Sequence, residues 1–255
     1  VRRLILAFAA IAPVALIALV LRGNLLLGIG VLALSHALLL YPTLRPNVQW
    51  LGPVVTSFAT TRKELWLTID DGPTDDTDAL LDTLDARGVK ATFFVKGSLA
   101  AEHPGRIAAI LGRGHTVGNH SHTHPSAIFW MLGPRALARE VDACAATLPP
   151  TPWFRAPVGM KNPFVHPLLA RRGLQLVGWT VRGFDATRDN EQDVVRRIAR
   201  GVRNGAIVVM HQGRPWSVRT IGRVVEELQA MGYGFVMPDQ GMIGGTNTKR
   251  VGVPR

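Results

Sequence analysis

The chain has little of several things that commonly organise a protein of 255 residues. A single cysteine, Cys144, excludes an internal disulfide, so cysteine content carries no information on compartment. Tyrosine is nearly absent, with two residues, and acidic residues are scarce, 18 against 29 Lys and Arg, giving a formal charge of +11. That excess invites a nucleic-acid reading, but no basic run with interleaved aromatics and no nucleic-acid motif accompanies it, so no nucleic-acid partner is expected. Arg196, Arg197, Arg200 and Arg203 fall on one expected helix, whose basic face fits solvent or anionic lipid better than base readout.

Charge is missing altogether from two stretches. Residues 4–21 (LILAFAAIAPVALIALVL) and 25–41 (LLLGIGVLALSHALLLY) are each close to the length that crosses a bilayer, and only Arg22, Gly23 and Asn24 separate them. A cleaved signal peptide is the rival for the first run, since Arg2 and Arg3 precede it, but the second run argues against that. The expectation is a transmembrane hairpin over 1–41 in a bacterial inner membrane, with lipid as a partner. Arg2 and Arg3 before it, and Arg45, Arg62 and Lys63 after it, outweigh Arg22 in the loop and place both ends on the cytoplasmic side.

Residues 42–62 are rich in turn formers and read as a linker, 63–240 as the catalytic domain, and 241–255 as a C-terminal tail. From Lys63 onward short apolar runs alternate with amphipathic ones. Strands are expected at 64–69, 90–95, 115–119, 152–156, 174–181, 205–210 and 233–238. Helices are expected near 75–87, 104–113, 134–148, 163–172, 190–203 and 217–231. Seven strands alternating with helices require a parallel α/β sheet, either a closed or nearly closed barrel or an open doubly wound sheet.

In both architectures functional side chains gather at the carboxyl ends of the strands. Those ends carry Asp70 and Asp71 (TIDDGP), His120, His122 and His124 (NHSHTHP), Arg155 (RAPVG), Asp185 (VRGFD) and His211 (VMH). Adjacent strand residues point to opposite faces, so Asp70 and Asp71 need a turn between them to meet and should have different tasks. His120 and His124 with one carboxylate make a three-ligand set that leaves room for water or substrate. Zinc is the default ion for such a divalent site, with cobalt, nickel, manganese or iron compatible. His122 is expected to point elsewhere, and His103, His115 and His166 read as surface or packing residues.

The ordered set TIDDGP, HSHTH, RAPVG, Asp185 and VMH closely resembles the five motifs of the NodB-type polysaccharide deacetylases, carbohydrate esterase family 4. The resemblance implies a distorted (β/α) barrel that removes N-acetyl groups from an amino-sugar glycan by hydrolysing a linear amide, not a peptide bond. It implies Asp70 as general base, Asp71, His120 and His124 as metal ligands, and Arg155 as the group orienting Asp70. His211 would be the general acid steadied by Asp185, and the Val158 N–H would stand in the oxyanion hole. The pattern departs from the family at Val158 (usually tyrosine), Arg182 (usually aspartate), Ala186 (usually tryptophan) and Val209 (usually leucine), all on the glycan-facing wall. Two other expectations stand beside the polysaccharide deacetylase: a cytoplasmic-facing deacylase or deformylase of a lipid-linked sugar, and an inactive membrane-bound glycan-binding domain.

Overall fold

A computed structural model describes residues 1–243, so most of the tail expected at 241–255 lies outside the described residues. Two helices come first, α1 (Arg2–Leu21) and α2 (Leu25–Leu44), packed against one another with largely exposed apolar outer faces. Twenty residues at 1.5 Å per residue make each about 30 Å long, the thickness of a hydrocarbon core.

The remainder is an eight-stranded, wholly parallel sheet: β1 (Glu64–Gly72), β2 (Thr92–Val95), β3 (Thr116–Asn119), β4 (Trp153–Phe154), β5 (Gln175–Leu176), β6 (Val181–Arg182), β7 (Ala206–His211) and β8 (Gly234–Phe235). The connecting helices are α3 (Thr77–Asp85), α4 (Gly97–Glu102), α5 (Pro104–Gly112), α6 (Pro134–Ala145), α7 (Val165–Arg171), α8 (Glu191–Gly201), α9 (Ser217–Ala230) and α10 (Gln240–Ile243). Local chemistry sets several boundaries. Asn190 caps α8 by accepting from the Asp193 N–H, with Glu191 and Asp193 in its first turn, and proline opens α5 and α6.

The strand expected at 174–181 is divided. Its first half, β5, pairs with β4 at one edge of the sheet; its second half, β6, pairs with β7 at the other. The four residues between them carry the chain across the gap. Val55 bridges to Val177, Thr56 O accepts from the Thr180 hydroxyl, and Ser57 bridges to Ala206, so residues 55–57 fill the opening. The result is a distorted barrel, as the resemblance implied.

Alternation along β1 divides the core. Leu65, Leu67 and Ile69 pack outward against Leu80, Leu81 and Leu84 of α3, whereas Trp66 packs inward with Phe94, Trp153, Trp179, Ile207 and Val209. Thr68 and Asp70 share the inward face with Trp66, which carries Asp70 to the mouth of the barrel.

Candidate active site

At the end of β1 the register slips between Asp70 and Gly72, and Asp71 adopts a φ of 76°. This bulge is the turn the adjacent aspartates needed: Asp70 continues the inward face, and the bulge re-aims Asp71 toward the same cleft. Gly72 permits it, because a Cβ there would lie 2.3 Å from Gln212 Oε1. Gln212 in turn donates to the hydroxyls of Thr74 and Thr77, fixing the loop that follows.

Asp70 is buried beneath the cleft floor. The Arg155 guanidinium donates to Asp70 Oδ1 at 2.6 Å, to the Thr68 hydroxyl at 2.8 Å and to the carbonyls of Val177 and Gly178, and it stacks on the Phe94 ring. A fully buried arginine with this many acceptors holds one orientation, and so does the carboxylate it grips.

The β3–α6 loop brings in the histidines. Asn119 Oδ1 accepts from the Ser121 N–H, and Glu140 accepts from the N–H groups of His122 and Thr123 and from the Thr123 hydroxyl. Ser121 and His124 take positive φ values of 64° and 54°, and the His120 and His124 rings lie 4.7 Å apart. His120 Nδ1 is 2.8 Å from the Arg155 carbonyl, so it carries the proton and donates, leaving Nε2 with its lone pair in the cleft. His122 turns away and packs against Gly97.

The residues present fit a divalent cation. Donor atoms of Asp71, His120 and His124 lie within 4.8 Å of one another, and Asp71 Oδ1 is 4.0 Å from His120 Nε2 and 3.6 Å from His124 Nε2. Ligands of one tetrahedral zinc stand roughly 3.4 Å apart, close to these spacings. Asp71 Oδ1 is buried and makes no hydrogen bond, although Lys96 Nζ lies 3.0 Å from it.

Protonation states agree. Burial would raise the Asp71 carboxyl, but His120, Lys96 and His124 overcome it and hold the group well below the ordinary carboxylate range. Burial is the main influence that lowers His120 and brings His124 down to about 4, so both rings are neutral at pH 7, as a cation requires.

Across the cleft stands His211 at the end of β7. Its Nδ1 is 3.1 Å from Asp185 Oδ1, and its backbone N–H donates to Asp185 Oδ2 at 2.6 Å. Trp216 Nε1 donates to the Asp185 carbonyl, which fixes the pair from behind. Burial pulls the imidazole pKa down, but the hydrogen bond and charge of Asp185 outweigh it and leave it raised.

Val158 completes the rim. It sits in a turn with φ 48°, is half exposed and lines the cleft. The cleft has a volume of about 370 Å³. Asp70, Asp71, His120, His124, Val158 and His211 all line it, with Arg155 below and Asp185 behind.

Sequence reasoning missed Lys96, which lies one residue past β2 and pairs with Asp71; its only signal was that position. It also missed Phe184 and Arg214 in the cleft wall. Trp179 is buried, lies in the crossing between β5 and β6 and lines the cleft. His115 is a packing residue, edge-on to Phe93 with burial bringing its pKa to about 4, and His166 is brought to a similar value by burial against residues 51–53.

An inward aspartate held by a buried arginine, a cluster of one aspartate and two histidines, and a carboxylate-backed histidine on one parallel barrel define a family when set beside known proteins. The family model for polysaccharide deacetylases matches residues 58–177. Over 194 residues the chain is 32% identical to a chitooligosaccharide deacetylase of Bradyrhizobium, an alignment covering 67% of this chain and 87% of that one. It is 33% identical over 186 residues to a peptidoglycan-N-acetylglucosamine deacetylase of Listeria monocytogenes, covering 71% of this chain but only 39% of that relative's length. The family 4 carbohydrate esterase of Streptomyces lividans, solved with acetate, superposes with a TM-score of 0.64 at 30% identity, covering 70% of this chain and 94% of that one. The chain belongs to the polysaccharide deacetylases of carbohydrate esterase family 4.

Proposed function

We propose that the chain is a membrane-anchored, metal-dependent hydrolase that removes an N-acetyl group from an amino-sugar glycan. The observation that carries this reading is the buried, hydrogen-bond-free Asp71 Oδ1 between two neutral histidines, with Asp70 and His211 on the same cleft. Asp71, His120 and His124 would hold the ion, with zinc the default. Such an ion supplies Lewis acidity, lowering the pKa of water and polarising the amide carbonyl.

The chain's own groups do the rest. Asp70, fixed by Arg155, takes the proton from the attacking water. The Val158 N–H donates to the oxygen that gains charge as the carbonyl carbon becomes tetrahedral. His211, kept protonated by Asp185, passes its proton to the sugar nitrogen as the C–N bond breaks, because an amine anion leaves poorly.

The two apolar helices would be the anchor, with Tyr41 and Trp50, 5.0 Å apart, and Arg45 over Tyr41 as interfacial residues. A second reading, an amino sugar attached to lipid, is favoured by one contact: the turn after α2 is seated in the cleft wall, where Pro46 packs against Gly159 and Trp179 flanks the same glycine.

The test is acetate and formate release from a panel of amino-sugar substrates by the full chain in detergent. Release should stop with chelator and return on adding zinc or cobalt. Release that is indifferent to chelation would remove the metal from the reading. Protease added to intact cells should spare the barrel; its digestion would place the cleft outside the cytoplasm.

A further inference from the structure

One wall of the cleft is strongly cationic. Phe184, which lines the cleft, is surrounded by guanidinium groups: Arg182 lies 4.0 Å from the ring centre, Arg197 5.1 Å and Arg188 5.8 Å. Arg182 also faces Trp179 at 5.5 Å, and Arg214 lines the same cleft. Among the described residues none of these four side chains reaches a carboxylate within 4.0 Å.

Of the nearby acids, Asp185 is engaged by His211, and Asp189, next to Arg188, is exposed to solvent. Asp193 pairs with Arg196, and Glu191 with Arg219 and Arg223, all on the outer faces of α8 and α9. Arg197 is exposed, as expected of a solvated helix face, and its guanidinium lies beside Phe184. Three guanidinium groups around one ring raise the local positive potential and favour an anion among them, and their planar donors match phosphate oxygens.

The place of this wall matters. Phe184 immediately precedes Asp185, which backs His211, so the cations stand on the side where the sugar nitrogen departs. Resting on the hydrolase reading above, we propose that Arg182, Arg188, Arg197 and Arg214 form a phosphate-binding subsite that selects an amino sugar carrying a phosphate. The sugar lies toward His211, its acetamide over the cation cage, and its phosphate against the arginines. Trp179 joins this wall to the turn after α2, so the phosphate also lies on the side of the cleft nearest the hairpin.

The experiment compares three substrates with the full chain in detergent: N-acetylglucosamine 1-phosphate, a neutral N-acetylglucosamine oligosaccharide, and N-acetylglucosamine linked through diphosphate to a short polyprenyl chain. Pyrophosphate binding is followed in parallel by titration calorimetry. The wild type should prefer the phosphorylated substrates, and Arg188→Gln/Arg197→Gln should lower the ratio of kcat/KM for phosphorylated over neutral substrate by roughly tenfold or more. The same variant should lose pyrophosphate binding.

A polyprenyl form used faster than the soluble phosphate identifies a lipid carrier as the source, and equal rates identify a free sugar phosphate. Equal use of the neutral glycan, with no pyrophosphate binding, overturns the subsite while leaving the hydrolase reading intact. Pyrophosphate binding that the variant abolishes, with no substrate turned over, supports the subsite and removes the hydrolase reading instead.

Discussion

Asp70 and Asp71 are chemically identical and one bond apart, yet their surroundings divide their work. Asp70 is gripped by a buried arginine, whereas Asp71 turns its Oδ1 toward His120, His124 and Lys96. Asp70→Asn keeps the shape and the hydrogen bond from Arg155 but cannot take a proton. Turnover should fall by about 10²–10⁴-fold with circular dichroism and bound metal unchanged. Retained turnover would mean that another group is the base.

The second pair obeys opposite signs. Burial disfavours protonated His211, and Asp185 more than reverses this. A general acid must hold its proton, so activity is lost as pH rises through the His211 pKa. Asp185→Asn leaves burial with weaker opposition, and the alkaline limb of kcat/KM should move to lower pH. A limb that stays in place would assign it to a different group.

Elements built on continuous apolar runs could be read directly from the residues. β1, β2, β7, α6 and α9 fall within a few residues of where periodicity puts them, and the ordered motifs contain Asp71, His120 and His124, whose donor atoms lie together in the structure. The division of 174–181 could not be read, because its cause lies more than 100 residues away in Asn47 and Thr56, which bond Trp179 and Thr180. Lys96 was equally silent, since a lysine after a strand looks like any solvated charge.

The closure at 55–58 also rests on a backbone approach. Gly205 has a φ of 73°, and a Cβ there would lie 2.0 Å from the Phe58 carbonyl oxygen, whose residue in turn donates its N–H to Gly205 O. Gly205→Ala must therefore push this segment off β7 and should destabilise the barrel by roughly 2–4 kcal/mol, read as a lowered Tm. An unchanged Tm would show that residues 55–58 contribute little to closure.

At the scale of the whole molecule the helices and barrel are joined by more than a tether. Lys161 is buried, and burial brings its pKa down to about 8; its ammonium donates to the carbonyls of Arg45 at 2.7 Å and Pro46 at 2.9 Å. Asn47 donates to the Trp179 carbonyl, and Arg2 reaches the Pro163 carbonyl. Lys161→Met should leave the barrel folded but loosen the joint, exposing residues 45–50 to limited proteolysis in detergent several times faster. Unaltered cleavage would mean that the remaining contacts hold the joint alone.

On the proposed anchoring by α1 and α2, that clamp would set the kinetics of the protein in a bilayer. With the cleft then held at a constant height above the lipid, encounter would be governed by lateral diffusion, and the effective concentration would be a number of molecules per unit area. Adding inert lipid at constant total substrate would then slow turnover of a lipid-borne sugar by surface dilution, while leaving a water-borne one untouched.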